Sequence, residues 1–264
     1  TTRFETMRLT RIEGHCRHPV LFVIPLPFTE TKILIYSVFF SITVALVLGI
    51  YLGTRAAQNE GLNVETALNM TFFGLIGVIL TLTMTMFTAV AIVRERERGT
   101  IEQLIVTPIR PWELIIGKII PFTILGVVQF TVGLIAARLV FGIPINGSIP
   151  LLYGMVLLFL MSTLGLGIFV STITHTQQQA MFVAWFTMIF ALLLSGFFVP
   201  IKNMPRFVQY LTYINPLRYF INVLREIYLK ATPFRYLWQE AAAMGSLGFV
   251  LIVAASLRFQ KRLS

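Results

Sequence analysis

Residues 94–118, RERERGTIEQLIVTPIRPWELIIGK, form a charged stretch between two long apolar runs. Its charged residues, from Arg94 to Arg98, follow directly on the apolar Ala91-Ile92-Val93. A helix that leaves a bilayer must end where its ionised side chains can be hydrated. The charged run therefore predicts that a membrane-spanning helix ends at this point.

The residues after that exit have the pattern of a short amphipathic helix. Ile101, Leu104 and Ile105 recur at the spacing of one helix face. Pro108 should end this helix, because the residue before a proline disfavours helical geometry. Pro111 suits the first turn of a new helix. We therefore predict a helical elbow that lies at the membrane surface.

The residues of the elbow are compatible with two interpretations. A stop-transfer signal needs only Lys and Arg, because acidic residues contribute little to orientation. Here Glu95 and Glu97 alternate with arginines, and Glu102 and Glu113 follow. A surface of mixed charge is better suited to docking a protein partner that has its own charge pattern. The docking interpretation is therefore favoured.

The composition is that of an integral membrane protein. Of the 264 residues, 56% are hydrophobic and 12% are charged, with a mean hydropathy of +0.82. Soluble domains carry about 25% charged residues. The formal net charge of +10 comes from basic residues that flank apolar runs, so it indicates topology, and no nucleic-acid partner is expected. The single cysteine, Cys16, excludes an intrachain disulfide, and no metal site is expected.

Long uncharged runs predict an all-α fold with six transmembrane helices. A basic segment, residues 1–31, is expected to form an interfacial helix ahead of a single transmembrane domain, residues 32–264. Most of the 21 Lys and Arg residues would lie on the inner side if both termini are cytoplasmic. The spans are expected near residues 33–54, 68–93, 117–141, 150–171, 180–199 and 236–257.

A second unusual segment, residues 202–235, alternates aromatic and aliphatic residues with scattered basic ones. It is too polar for an ordinary span and too apolar for a solvated loop. Two short helices hinged at Asn215-Pro216 and dipping into the outer leaflet would keep the backbone polar groups paired. A surface hairpin anchored by its tyrosines in the interfacial aromatic belt explains the same pattern. The residues alone leave both alternatives open.

Two spans carry candidate residues for a translocation pathway. The second span has three threonines on one face, but a packing face is the alternative, because threonine can bond to the preceding turn. The fifth span has a large apolar and aromatic surface, for which lipid exposure or core packing is the alternative. A pathway lined by these side chains would suit an amphipathic or lipid-like molecule. The candidate residues are Thr81, Thr85, Thr88, Phe182, Trp185 and Phe186.

Several linked motifs resemble the type-2 family of ABC exporter permeases, the membrane subunits of bacterial ATP-driven exporters. Together they extend over roughly residues 66–264. The matching segments are Arg94-Glu95-Arg96-Glu97, Gly99-Thr100, Glu102-Gln103-Leu104, Thr107-Pro108, residues 142–150, Thr176-Gln177-Gln178-Gln179, Leu194-Ser195-Gly196, Asn203-Met204-Pro205 and Asn215-Pro216.

The resemblance implies a permease subunit of the bacterial inner membrane that exports an amphipathic, drug-like or lipid-like substrate by alternating access. It implies two partners, a separate ATPase that binds ATP and Mg²⁺ and a second permease, identical or paralogous, within the surrounding lipids. No GxxxxGK[ST] phosphate loop occurs in the sequence, so this chain is expected to be neither an enzyme nor the carrier of a cofactor. The second and fifth spans would flank a cavity at the dimer interface.

The resemblance also assigns roles to individual residues. It favours the re-entrant form of the outer segment, acting as an outer gate above the dimer axis. The gate residues would be Asn215, Pro216, Tyr219 and Arg225. The ATPase-coupling residues would be Arg94, Glu95, Arg96, Glu97, Gly99, Thr100, Glu102, Gln103, Leu104, Thr176, Gln177 and Gln178.

Two other classes of protein are the alternatives. A secondary transporter or channel predicts paired intramembrane charges or inverted repeats. A membrane enzyme that modifies lipids predicts a convergent cluster of His, Glu or Asp at one membrane face. Neither pattern is present in the sequence. The connection between the first two predicted spans, residues 54–65, is short where many similar permeases carry a soluble domain, and it resembles the drug-, lipid- and polysaccharide-exporting branches.

Overall fold

The computed structural model describes residues 47, 50, 51, 64–98, 111–141, 147–197 and 201–261. Three predicted features therefore lie wholly or mostly outside the described residues: the interfacial segment 1–31, the first span 33–54, and the elbow 94–105, of which residues 99–105 are not described. Val47, Ile50 and Tyr51, which fall within the predicted first span, are helical.

The described residues fold into α-helices joined by short turns, without a strand among them, as the sequence predicts. Two 3-10 turns, Ile201–Asn203 and Thr212–Ile214, flank the shortest α-helix. The α-helices are α1 (Val64–Glu97), α2 (Pro111–Phe141), α3 (Ile149–Ile173), α4 (Gln177–Leu193), α5 (Arg206–Leu211), α6 (Pro216–Lys230) and α7 (Phe234–Lys261).

Four of these helices are long and apolar enough to cross a membrane. They contain the segments Thr71–Glu97, Ile115–Leu139, Ile149–Ile173 and Phe234–Arg258. The apolar α4 has 17 residues, at the lower limit for a span. Each of these five helices corresponds to one predicted span. The chain is thus a multi-pass membrane protein, and the count of six spans stays a prediction because the first lies mostly outside the described residues.

The fifth predicted span, residues 180–199, differs from the helix that forms there, since α4 ends at Leu193. Gly196 adopts a φ of +78°, which a residue with a side chain rarely adopts. The Ser195 hydroxyl donates to the Leu192 carbonyl at 2.6 Å and accepts from the Phe197 N–H at 3.1 Å. This turn stops the helix inside the apolar run, so apolarity alone overestimates its length.

Helices α1 and α3 lie at the centre of the bundle. In an apolar window of 18 residues within each helix, 72% of the residues of α1 and 67% of those of α3 are buried, against 33% for α2 and 22% for α7. Close approach needs small residues at the crossings. A Cβ on Gly167 of α3 would lie 2.8 Å from the Thr85 carbonyl oxygen of α1, and one on Gly248 of α7 would lie 3.0 Å from the Ser162 nitrogen of α3.

Polar side chains bond between the helices inside this bundle. The Thr83 hydroxyl on α1 donates to Gln129 Oε1 on α2 at 3.0 Å. The Ser162 hydroxyl on α3 donates to the Met244 carbonyl of α7 at 2.6 Å. Such bonds hold transmembrane helices together, since lipid gives no hydrophobic drive for their association.

Helix α6 packs against the middle of the long helices instead of covering their ends. Phe220 stacks on Phe159 of α3 with ring centroids 3.9 Å apart and contacts Phe130 of α2 edge-on at 6.3 Å. Phe159 lies about 15 Å along the axis from Ile149, the first residue of α3. The inner face of α6 is almost fully buried and consists of Leu217, Phe220, Ile221, Val223, Leu224 and Ile227.

Candidate functional site

The charged end of α1 contacts the turn that joins α3 to α4. The contacts link positions about eighty residues apart in the chain and lie at one end of the bundle. We call this contact set the polar junction. Its members are Arg94, Arg96, Glu97, Ser171, Thr174 and Gln177.

Gln177, the first residue of α4, lies at the centre of the polar junction. Its backbone N–H donates to Glu97 Oε1 at 2.8 Å, and its side-chain Nε2 donates to Glu97 Oε2. Its side-chain oxygen accepts from Arg94 Nε at 2.9 Å. Arg94 and Glu97 are three positions apart and therefore neighbours on one face of α1. One glutamine thus binds both a cation and an anion of α1.

Arg96 binds the other side of the same turn. Its Nη1 donates to the carbonyls of Ser171 and Thr174 at 3.1 and 3.0 Å, where α3 ends. The last carbonyls of a helix have no partner within it and attract a cation, whereas the first N–H groups attract an anion. Arg96 at the end of α3 and Glu97 at the start of α4 satisfy both preferences. Adjacent residues of α1 therefore join two helix termini.

The turn itself is shaped by local capping. The Thr176 hydroxyl accepts from the Gln179 N–H at 3.2 Å, and the Gln179 side chain accepts from the His175 N–H at 2.9 Å. Threonine followed by glutamine three residues later is typical of a helix N-terminus. Gln178 lies exposed on the first turn of α4. Of the predicted residues in this turn, Thr176 therefore caps the helix and Gln177 contacts α1.

Helix α2 also contacts this end of α1. Lys118 of α2 forms an ion pair with Glu95 at 2.5 Å. The sequence pattern does not single out Lys118, which is the last residue of the stretch 94–118. Beneath these charges, Val93 of α1 packs with Val170 of α3 and Ala180 of α4. The end of α1 therefore contacts the near ends of α2, α3 and α4.

The predicted coupling residues fall into two groups. Those at 94–97 and 176–178 lie at one end of the bundle, as described. The others, Gly99, Thr100, Glu102, Gln103 and Leu104, lie outside the described residues. The coupling role of both groups stays a prediction.

The three threonines of the predicted pathway face the interior of the chain. Thr81 donates to the Gly77 carbonyl at 2.7 Å and Thr85 to the Thr163 carbonyl of α3 at 3.4 Å. Thr88 is fully buried, and its hydroxyl has no hydrogen-bond partner within the described part of the chain. These contacts agree with the alternative that the threonines form a packing face. Their role in a translocation pathway stays a prediction.

Unlike the three buried threonines, the aromatic residues of α4 lie on the surface of the chain. Phe182 is 67% exposed, and Trp185 and Phe186 are each 51% exposed. This exposure disagrees with core packing inside one chain. Lipid contact and a surface shared with a second chain or a substrate both remain as alternatives for the α4 aromatic face.

The predicted outer hinge, Asn215-Pro216, lies where the start of α6 contacts α4. Asn215 is buried; its Oδ1 accepts from the Leu217 N–H at 3.1 Å, and its Nδ2 donates to the Ala191 carbonyl of α4 at 2.6 Å. Pro216 occupies the first turn of α6, where it needs no N–H partner. The Tyr219 hydroxyl donates to the Tyr213 carbonyl at 3.0 Å. Asn215 thus attaches α6 to the far end of α4.

The sequence matches a known protein family over most of the length of this chain. The family is described as ABC-2 type transporter, and the match covers residues 28–229. The Escherichia coli K12 protein named "Probable multidrug ABC transporter permease YbhR" is 37% identical over 166 residues, which cover 63% of this chain and 45% of that protein.

Two other relatives are each similar to more than half of the chain. The Escherichia coli K12 protein named "Inner membrane transport permease YhhJ" is 32% identical over 193 residues, 72% of this chain and 52% of that protein. The Dictyostelium discoideum "ABC transporter G family member 20" is 26% identical over 149 residues, 56% of this chain and 20% of that protein. The chain spans about half the length of the bacterial relatives it matches.

Proposed function

Because the chain belongs to the ABC-2 type transporter family, we propose that it is the transmembrane permease subunit of an ATP-binding-cassette exporter in a bacterial inner membrane. Two permeases, identical or paralogous, would form the pathway, and a separate ATPase would bind ATP and Mg²⁺. The substrate would be amphipathic, drug-like or lipid-like. The word "multidrug" in the name of YbhR supports the drug-like class.

The polar junction is the structural feature that supports this proposal. An exporter driven by a separate ATPase needs a rigid connection between its docking surface and the helices that line the pathway. Gln177 is held by Arg94 and by Glu97, and hydrogen bonds to charged groups are stronger than neutral ones. A displacement of the end of α1 would therefore be passed to the start of α4.

Helix α4 would carry that displacement across the membrane. It is bound to α1 at its start through Gln177 and to α6 near its end through the Ala191 carbonyl. The α4 aromatic face lies between these two attachments. In the proposed mechanism, closure of the ATPases moves the elbow at 94–105 and the loop at 171–179, and the pathway changes from inward-open to outward-open. The coupling is the difference in stability between those two states.

With both termini cytoplasmic, the polar junction would lie on the ATPase side and α6 in the outer half of the bilayer. The position of Phe220 against the middle of α2 and α3 supports a re-entrant helix. Asn215, Pro216, Tyr219 and Arg225 would then form an outer gate that moves with α4.

The test is to purify the tagged chain from its native membranes in mild detergent and to identify the proteins that remain bound. We expect a nucleotide-binding ATPase subunit to co-purify. Scrambling residues 94–105 should remove it without reducing membrane insertion. Gln239→Ala, on the exposed surface of α7, is the control and should retain it.

A chain that purifies alone, even after crosslinking in the membrane, would contradict the proposal. That outcome would favour a transporter or channel that needs no ATPase, or a membrane enzyme acting on lipids.

A further inference from the structure

The outer part of the molecule contains buried charges that the chain itself does not satisfy. Within the described residues, four buried side-chain atoms have no hydrogen-bond partner: Arg218 Nε, Arg225 Nε, Glu240 Oε2 and Thr88 Oγ1. Three of the four belong to charged side chains on α6 and on the adjacent part of α7. Burying a charged group without a partner is costly, and this cost indicates a partner that is not part of the described chain.

The two arginines lie on the same side of α6. They are seven positions apart, which corresponds to two helical turns and to about 10 Å along the axis. Both border the apolar inner face, next to Ile221. Their guanidinium groups are therefore placed at the boundary between the packed interior and the exposed side of α6.

Arg218 is held in place by contacts that leave its Nε unused. Its Nη1 donates to the Thr212 hydroxyl, and its guanidinium lies 4.4 Å from the ring centre of Tyr213 and 5.7 Å from that of Tyr219. Cation–π contacts of this kind orient a guanidinium without neutralising it. Arg218 is thus positioned in advance: its Nε is enclosed, and its Nη2 makes no hydrogen bond within the described residues and can donate to a ligand.

Arg225 has even fewer contacts. It is half-buried, and in the described part of the chain it makes no hydrogen bond or ion pair. The nearest acid along the helix, Glu226, is occupied, since it accepts from Lys230 at 2.5 Å and from Thr232 at 3.0 Å. The Nε of Arg225 is enclosed, so Arg225 offers a ligand its two Nη groups, which make no hydrogen bond within the described residues.

The charge balance of this segment favours an anion. Residues 201–240 contain six basic and two acidic side chains. One of the two acids, Glu226, is engaged as described, and the other, Glu240, makes no ion pair within the described residues. The guanidinium fork matches the geometry of a phosphate.

We propose that Arg218 and Arg225 form a binding site for the phosphate group of a membrane phospholipid. We name it the outer arginine site. The inner face of α6 is packed among apolar helices, while Phe207 and Tyr210 on the preceding α5 are 74% and 73% exposed. Aromatic residues of this kind concentrate at the headgroup level of a bilayer. Free phosphate shares the chemistry but lacks acyl chains to lie along this apolar surface. The proposal does not depend on export.

The test is native mass spectrometry of the full chain purified in detergent. Three probes are added separately: phosphatidylglycerol, diacylglycerol with the same acyl chains, and inorganic phosphate. We expect the chain to retain phosphatidylglycerol, to release diacylglycerol, and to exchange little of its bound lipid for inorganic phosphate. Arg225→Gln and Arg218→Gln should each weaken retention of phosphatidylglycerol by about tenfold or more, the effect of losing one charge-assisted hydrogen bond.

Two further variants separate this site from general surface charge and from misfolding. Arg206→Gln removes an exposed arginine from the same segment and should leave retention unchanged. Arg225→Lys keeps the charge and the fold but removes the fork, and it should give intermediate retention.

The proposal is overturned if diacylglycerol is retained as well as phosphatidylglycerol, or if Arg225→Gln retains as much lipid as the wild type. Equal losses in Arg206→Gln would also overturn it. Displacement of the lipid by inorganic phosphate would assign the site to a soluble anion instead. Loss of dimers with unchanged lipid retention would assign Arg225 to a contact between protein chains.

Discussion

At the residue scale, Gln177 shows why one side chain type suits the polar junction. A glutamine has both a donor and an acceptor, so with its backbone N–H it can bind Glu97 and Arg94 together. A glutamate there would repel Glu97, and a lysine could not accept from Arg94. The sequence around Thr176 predicts a helix start, but it contains no signal for partners eighty positions earlier. That pairing follows only from how α1 packs against α3 and α4.

Gly167 is predicted to be intolerant of any side chain. A Cβ there would lie 2.8 Å from both the Thr85 carbonyl oxygen and the Thr88 Cβ, and backbone cannot move aside cheaply. Gly167→Ala should destabilise the protein by about 1–3 kcal/mol. Thermal unfolding in detergent measures this change.

Gly154, on the same helix, is the matched control. A Cβ there would meet nothing within 4 Å. Gly154→Ala should leave the Tm unchanged or raise it slightly, because alanine favours a helix. Equal decreases in the Tm of both variants would show that the crossing of α1 and α3 is not as close as described.

At the element scale, the length of each uncharged run predicts the long helices well. Helix α3, Ile149–Ile173, and the predicted span 150–171 nearly coincide, because proline and polar residues bound that run. Helix α4 ends early because Ser195 and Gly196 form a turn, which apolarity does not reveal. The alternation of residues in 202–235 indicates an amphipathic segment, but not that Phe220 reaches the middle of α3.

The inner face of α6 is predicted to contribute strongly to stability. Phe220 is fully buried and stacks on Phe159 at 3.9 Å. Phe220→Ala should cost about 3–5 kcal/mol, because it leaves a cavity beside α2 and α3. Phe207→Ala, which removes a ring that is 74% exposed, should have little effect on the same unfolding measurement. If the two variants unfold alike, α6 does not pack within the bundle.

Helix α4 connects the polar junction to the segment 202–235. Its two attachments, through Gln177 and through the Ala191 carbonyl, lie at opposite ends of the helix. The side between them is exposed and aromatic. The sequence singled out residues in each of these three parts, but both the pairing within the polar junction and the connection through a single helix required the packed structure.

The α4 aromatic face is predicted to serve transport and not folding. Phe182→Ala combined with Trp185→Ala should lower the unfolding free energy much less than Phe220→Ala does, because Phe182 is 67% and Trp185 51% exposed whereas Phe220 is fully buried. Efflux of an amphipathic dye such as Hoechst 33342 from expressing cells should nevertheless fall. Phe249→Ala on α7 has the same 67% exposure as Phe182 and is the matched control. Equal efflux in all three strains would remove this face from the pathway.

Glu97 and Gln177 are expected to act as one unit in transmitting the action of an ATPase. The most direct measurement is ATP hydrolysis by the permease–ATPase complex in nanodiscs, for Glu97→Ala, Gln177→Ala and the double variant. Each single variant should lose most of the stimulation by the permease, and the double variant should lose no more, because both remove the same contact. Stimulation at the wild-type level in both single variants, or losses that multiply in the double variant, would contradict the claim.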